Sequence, residues 1–590
     1  MPTDCISYQK SGYFSKLIVD YLEQKPELKA LYSRFPTLEN FRLQLAEKEL
    51  EYNNNANRNT LVHSLEQQYQ GFVISEVTQN NLKLLSDTKT FTVTTGHQLN
   101  LFSGPLYFLY KIVSTINLCK ELKQAYPDYN FVPIYWMATE DHDFAEINYF
   151  HFKHAKMQWL RESNGPVGRL STAGLEEVYK VFAQELGLGD NANYLKSLFE
   201  DSYLKHSNLA DATRYLANEL FGNQGLVIID GDDKALKQLF VPYVKQELLQ
   251  QTAFEKVNQT NDILKEYTIQ VNPREINLFY IEDNLRERIV LEDGLYKVNQ
   301  TNLVFTQEEI LALVDSNPEK FSPNVILRPL YQEVILPNLC YIGGGGEIAY
   351  WLQLKTNFEA NKISFPVLLV RNSALLATEK QSQKADKLGL SWADLFSNQQ
   401  ELFNRKTQEF SQFNLDFTAQ KEHLKQQFAD LHQMALQTDS SFGKAVKAQE
   451  VKQLKGLDNL EKRLLKAEKR QHADALERII QLQNELFPNQ SLQERRNNFS
   501  EFYLEFGHEF IDKALSLGAS VIICEKLPEN IVVGVTYVQV KDSSSALAFM
   551  AANYYEEPSR KLKLVGVTGT NGKTTIASLL FQLFQKAGFK

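Results

Sequence analysis

Four short apolar runs, each ending in a polar or glycine-containing turn and separated by helical patterning, constrain this chain more than any other feature. The first, around Thr90 to Thr95, is β-branched and passes through Gly96-His97-Gln98 into a long apolar-periodic stretch that opens at Gly104-Pro105. FVPIYWMA (131 to 138), GLVIID (225 to 230) and FPVLLV (365 to 370) have the continuous apolarity of strands buried on both faces. Strands alternating with helices predict an α/β class with a parallel, Rossmann-like sheet, whose ligand side lies at the carboxyl ends of the strands.

At 590 residues the chain is long enough for several domains, and 27 glycines with 17 prolines are few for that length, which points to long helices. Residues 1–85 read as a helical segment, with Phe14, Leu17, Ile18 and Tyr21 on one face and Leu43, Ala46 and Leu50 on another. The core spans 86–375, with subdomains inserted at about 150–220 and 255–335. Residues 376–506 read as a coiled-coil arm. Phe417, Leu424, Phe428 and Leu431 share a face there, and Leu457, Leu460, Leu464 and Ala467 follow a 3-4-3 spacing, as do Ala475, Ile479, Leu482 and Leu486 in a shifted frame. Gln471 and Asp474 interrupt the seam and Pro488 stops it, so a hairpin or dimerisation arm fits better than a rod. Within a segment spanning 507–560, residues 517–542 alternate short apolar strands with turns and 546–555 read as helical, and 561–590 read as strand, phosphate loop and helix.

A net charge of −9 argues against a general nucleic-acid binder, and no apolar stretch reaches the roughly 18 residues of a membrane span. Cys5, Cys119, Cys340 and Cys524 are scattered without a CxxC pair, so a disulfide framework and a cysteine metal site both drop out. A cytoplasmic protein without a membrane anchor is expected.

Three rim clusters could carry chemistry. Gly96, His97 and Gln98 follow the first strand, where His97 is an acid/base or anion-donor candidate. Glu140, Asp141, His142 and Asp143 follow the second strand and open on the same rim, as proton acceptors for an amine or as metal ligands. Their spacing is not diagnostic of a metal, and no metal site is expected. Gly343 to Gly346 with Glu347 precede an apolar helix and offer open backbone for close substrate approach. Arg328, Gln332, Arg274 and Arg371 lie near apolar runs, where a buried guanidinium needs a partner. Tyr350 sits in a helix, where packing is its ordinary role. In the tail, Thr568, Gly569, Thr570, Asn571, Gly572, Lys573, Thr574 and Thr575 form a variant phosphate loop, with Val567 where the strict pattern has glycine. Lys573 suits β/γ phosphates and Thr574 suits Mg²⁺.

The segments TTGHQLNLFSGPLYFLYKI, FVPIYWMATEDHDFAEIN, SPNVILRPLYQEVILPNLCYIGGGGEIAYWLQLK and LFPNQSLQER together resemble the bacillithiol biosynthesis cysteine-adding enzyme family, BshC, over about residues 1–510. The resemblance implies a core like that of class I nucleotidyltransferases, connecting insertions and a C-terminal antiparallel coiled coil associated with homodimers. The implied reaction adds L-cysteine to the amine of glucosaminyl malate. Amide formation from a free carboxylate is uphill, so the cysteine needs activation. ATP with Mg²⁺ could supply it, and adenylate and acyl phosphate both stay open. The family's glycine turn often reads TGQQ, so His97 is a weaker candidate than Gly96, Gln98, the Glu140 to Asp143 cluster and Glu347. Arg328, Gln332, Gly344, Gly345, Gly346 and Tyr350 are the substrate-binding candidates.

Residues from about 507 resemble the start of a Mur ligase of the UDP-N-acetylmuramoyl-tripeptide synthetase type, through FIDKALSLGASVIICEKLP and VTGTNGKTT. A fusion with truncation, or a chimera, is the expectation for this tail. Two rival functions follow: a Mur-type amide ligase, and a non-catalytic nucleotide-binding coiled-coil protein.

Overall fold

A computed structural model describes residues 6–52, 55–153, 155–438 and 440–511, with two further strands at 521–524 and 536–539. The chain divides into Met1–Gly518 and Ala519–Lys590. In the second unit Val521–Cys524 pairs in parallel with Thr536–Gln539. The remaining tail features, including the phosphate loop Thr568 to Thr575, lie outside the described residues.

The first unit is built on five strands: β1 (Thr90–His97), β2 (Asn130–Met137), β3 (Val227–Asp230), β4 (Asn338–Gly343) and β5 (Val367–Val370). All neighbours run parallel, in the order β5-β4-β1-β2-β3. All eight residues of β1 are buried, as are seven of the eight in β2, which explains their unbroken apolarity. β4 is the strand that sequence patterning leaves out. Its run NLCYIG is framed by Pro337 and four glycines and so reads as a turn, yet it is the neighbour of β1.

Helix α1 (Tyr107–Ala125) follows β1 and packs on β1 and β2. α2 (Arg328–Ile335) leads into β4, and α3 (Gly345–Trp351) follows it. The N-terminal helices close the far side of the sheet edge. The Tyr21 hydroxyl donates to the Leu368 carbonyl at 2.7 Å, and Gln44 donates to the Phe365 carbonyl at 3.1 Å. The helix Leu38–Glu51 corrects the expected face: Leu43, Ala46 and Leu50 are exposed, while Phe41, Gln44, Leu45 and Lys48 are buried. Phe41 and Leu45 join the cluster beneath β1 and β4, and the polar pair is accepted because Gln44 and Lys48 find partners there.

The first insertion contributes a hairpin (Tyr149–Phe152 with Ala155–Gln158) and helices including Leu175–Leu186 and Leu209–Phe221. The second holds an antiparallel five-stranded sheet whose central strands are Leu278–Glu282, Leu285–Glu292 and Leu295–Val298. The arm is a helical hairpin of α4 (Thr418–Ala435) and α5 (Ser440–Gln471), continued by α6 (Ala473–Leu486) after a break at His472. The interruption predicted at Gln471 and Asp474 is this break. Among the described residues, no helix is long and apolar enough to cross a membrane.

Candidate functional site

The carboxyl ends of the strands converge on one rim. In order they present Arg371 just after β5, Gly343 and Gly344 at the end of β4, His97 at the end of β1, Thr139 and Glu140 after β2, and Asp230 at the end of β3. Successive strands leave in opposite directions from β1, so the gap between β1 and β4 is the topological switch point where such sheets bind ligands. Thr95 Oγ1 donates to the Ile342 carbonyl at 2.8 Å and fixes the register of the two banks.

Glu347 stands at this gap. Lys111 Nζ lies 2.6 Å from its Oε2, Gly344 N–H donates to Oε2 at 2.9 Å, and the Tyr341 hydroxyl donates to Oε1 at 2.8 Å. Burial pushes the carboxyl upward, but Lys111, Gly344 and Tyr341 outweigh it and hold Glu347 below its usual range. It is an anion at neutral pH with a side chain still 25% exposed. A Cβ on Gly96 would stand 3.1 Å from the Tyr341 hydroxyl, so glycine there lets that hydroxyl reach Glu347.

Cations face it. The Arg328 guanidinium lies 5.8 Å from the Trp136 ring and 5.7 Å from the Tyr341 ring, with Nη1 donating to Gln332 Oε1 at 3.0 Å. Its Nη2 is buried without a hydrogen-bond partner. Arg371 pairs with Glu494 at 2.8 Å and lies 5.2 Å from the Tyr107 ring, while its Nε is also buried and unpartnered. Buried polar groups left in this way are the ones a bound anion satisfies. His97 is buried, and desolvation with the nearby Lys111 and Arg371 charges drives its pKa well below the ordinary value. At neutral pH it is an uncharged imidazole. Tyr350 lies beside Arg328, whose charge and side-chain hydrogen bond oppose the upward push of burial on the phenol.

The cluster after β2 is largely engaged in holding the insertions. Glu140 is buried and paired to Lys237 at 2.7 Å, and Lys237 lies 3.1 Å from Asp232. Arg169, from the first insertion, grips Asp232 with two bonds of 2.7 and 3.0 Å. Gln98 Nε2 donates to Asp141 at 2.9 Å and to Glu146 at 3.0 Å. Arg286, from the second insertion, meets His142 Nδ1 at 2.7 Å. Asp143 is exposed.

The glycine turn is less open than its sequence suggests. Gly344 N–H is already capped by Glu347, and a Cβ on Gly345 would meet Phe14 at 3.4 Å, so part of its smallness serves packing against the N-terminal segment. Gln332 is fully buried and bridges Arg328 to Glu333. Sequence patterning did not single out Lys111, Tyr107 or Tyr341. The signal available was a lysine inside the otherwise apolar stretch LYFLYKIV, directly after the first glycine turn.

A cavity of about 460 Å³ adjoins the rim, lined by Gln98, Tyr107, His151, Ser491, Arg495 and Arg496 among others. It lies between β1, the first insertion and the end of the arm. Arg495 and Arg496 make it a place for anionic groups. Among the described residues no cluster of three or more His, Cys, Asp or Glu could hold a metal ion.

Comparison with known proteins matches residues 1–372 to the family description "Bacillithiol biosynthesis BshC, N-terminal Rossmann-like domain" and residues 374–521 to "Bacillithiol biosynthesis BshC, C-terminal coiled-coil domain". A protein of Flavobacterium psychrophilum named "Putative cysteine ligase BshC" is 66% identical over 513 residues, covering 87% of this chain and 97% of that one. Proteins of the same name from Christiangramia forsetii and Bacillus cereus are 56% and 27% identical, covering 87% and 85% of this chain and 97% and 95% of theirs.

Proposed function

The chain belongs to the bacillithiol biosynthesis BshC family, and on that premise we propose that it is a cysteine ligase, joining the carboxyl carbon of L-cysteine to the amine of glucosaminyl malate. One observation in the site carries the chemical reading. An anionic Glu347 lies on the bank of the switch point that also carries buried, unpartnered N–H groups of Arg328 and Arg371.

The amine nitrogen attacks the acyl carbon of an activated cysteine. As the carbon–nitrogen bond forms, the leaving group departs with its electron pair and the nitrogen loses a proton. Glu347 receives that proton. Arg328 and Arg371 stabilise the negative charge on the acyl oxygen, the interaction that strengthens most in the transition state. Holding both reactants at one gap supplies the rest, through orientation.

Activation by ATP is part of the proposal, and the cavity beside the rim supports it. Arg495, Arg496 and His151 suit phosphate oxygens, with Glu146 as the one carboxylate of the lining. The likeness of the core to class I nucleotidyltransferases, dimerisation through the arm and a cytoplasmic setting belong to the same reading. The arm contributes its support through an apolar stripe that stays open on α5. A separate reading covers the tail as a Mur ligase-like fragment, with Thr568 to Thr575 binding the phosphates of ATP; Lys573→Ala should then lower ATP binding by the tail while leaving cysteine ligation intact.

Mass spectrometry of the purified protein with L-cysteine, glucosaminyl malate and ATP-Mg²⁺, each omitted in turn, tests the main reading. The cysteinyl product should form only with all components present. Its absence from a folded wild-type protein, in the complete mixture, overturns the assignment.

A further inference from the structure

Lys111 takes no part in the amide-forming step described above, yet it connects both banks of the gap. From α1 its ammonium donates to the Gly96 carbonyl at 2.7 Å and lies 2.6 Å from Glu347 Oε2. Gly96 belongs to β1, and Glu347 opens the helix after β4. One side chain thus sets the position of the second bank against the first.

The exposures separate the two roles. The Lys111 side chain is 4% exposed and the Glu347 side chain 25%, so substrate can meet the carboxylate while the ammonium stays behind it. A carboxylate offers about four acceptor positions. Lys111, Gly344 and Tyr341 occupy three of them, which leaves room for one proton donor from a reactant. We propose that Lys111 is a positioning residue: by bonding Gly96 and Glu347 together, it fixes the Glu347 carboxylate, with its remaining acceptor position, where the incoming amine releases its proton. This rests on the reading of Glu347 as the proton acceptor.

The charge environment gives the proposal a specific signature. Around Glu347 stand Lys111, Arg371, Arg328 and the Tyr107, Tyr341 and Tyr350 phenols, and the neutral imidazole of His97 lies beside Lys111 and Arg371. Of these, Lys111 makes the direct ion pair. With Lys111 gone, burial dominates and the carboxyl holds its proton to higher pH. Loss of activity should therefore be greatest at acid pH and shrink as pH rises.

The test compares pH profiles of kcat/KM for the full-length protein, Lys111→Met, Lys111→Arg, Glu347→Gln and the double variant Lys111→Met/Glu347→Gln, following the cysteinyl product by mass spectrometry. Lys111→Met should move the acid limb to higher pH, losing about tenfold or more at the acid end, the size of one unit of carboxyl displacement. Lys111→Arg should show a smaller displacement. The double variant should be no slower than Glu347→Gln alone, because the lysine acts only through that carboxylate. A loss in Lys111→Met that is equal at every pH, or a double variant slower than Glu347→Gln, overturns the proposal. If Lys111→Met does not fold, the Lys111→Arg profile decides, and an unmoved acid limb overturns it. Wild-type rates in Glu347→Gln would instead remove Glu347 as proton acceptor, a failure of the underlying mechanism that is distinct from the other outcomes.

Discussion

Arg371 and Glu494 meet at 2.8 Å with side chains 7% and 1% exposed, joining the end of the core sheet to the base of the arm. Arg371 follows β5 directly and its backbone N–H donates to the Gly343 carbonyl at 2.9 Å, so the pair also steadies the glycine bank of the site. Glu494 accepts from Ala374 N–H at 3.2 Å, and the adjacent Gln493 exchanges two bonds of 2.9 Å with the backbone of Leu376. The segment LQER is thus a strap between two domains.

Removing one member of a buried ion pair leaves the other charged and desolvated. Glu494→Ala should destabilise the first unit by about 3–5 kcal/mol, read by denaturant unfolding. A loss under about 1 kcal/mol would mean that Arg371 had found water or another acceptor.

Arg328 tests the electrostatic half of the mechanism. Its guanidinium lies near the Trp136 and Tyr341 rings, keeps one edge on Gln332 and has Nη2 free. Lysine preserves the charge but neither the planar guanidinium nor its fork of donors. Arg328→Lys should lower kcat by about 100-fold with little change in melting behaviour, the size of losing one oxyanion donor. Wild-type kcat would exclude Arg328 from stabilising the acyl oxygen.

Much of the core was legible because β1, β2, β3 and β5 are buried on both faces, and such strands advertise themselves as unbroken apolar runs. β4 was hidden because proline and glycine frame it, and those residues ordinarily mark turns. The same compactness hid the site's organisation: Glu347 was visible as a rim carboxylate, but its partners Lys111 and Tyr341 are brought to it by α1 and β4, at sequence distances that no local pattern records. The exposed Leu43 and Leu50 show the converse error. Periodicity marked a face, while the packing against β4 selected Phe41, Leu45 and the paired Lys48.

Glu333 supplies a pH-dependent prediction. Its carboxyl is fully buried, and desolvation, opposed by Lys48 at 3.3 Å and by bonds from Asn338 and Gln332, leaves it pushed up to about 7. A folded-state pKa above the unfolded value gives stability that is complete below the unfolded pKa and is lost as pH rises through about 7. Wild type should therefore lose about 1 kcal/mol relative to Glu333→Gln between pH 6 and pH 8. Denaturant curves at the two pH values measure the difference, and a constant gap between the proteins contradicts this account.

The arm makes the remaining prediction. α4 and α5 bury Phe428, Ala435 and Val446 between them, with Leu424 packed alongside, and Lys421 pairs with Asp458 and Glu461 near the hairpin's base. The stripe of Leu457, Leu460, Leu464 and Ala467 on α5 is not closed within the protomer: Leu457 and Leu464 are half-buried, and Leu460 is 52% exposed. A 3-4-3 stripe of this kind is the seam by which a second helix packs. Dimerisation through the arm predicts that Leu460→Asp converts a dimer to a monomer in sedimentation equilibrium, with helical content unchanged. The substitution itself should alter monomer stability by no more than about 0.5 kcal/mol, because an exposed position loses little on becoming polar. Persistence of the dimer in Leu460→Asp would place the interface off this stripe.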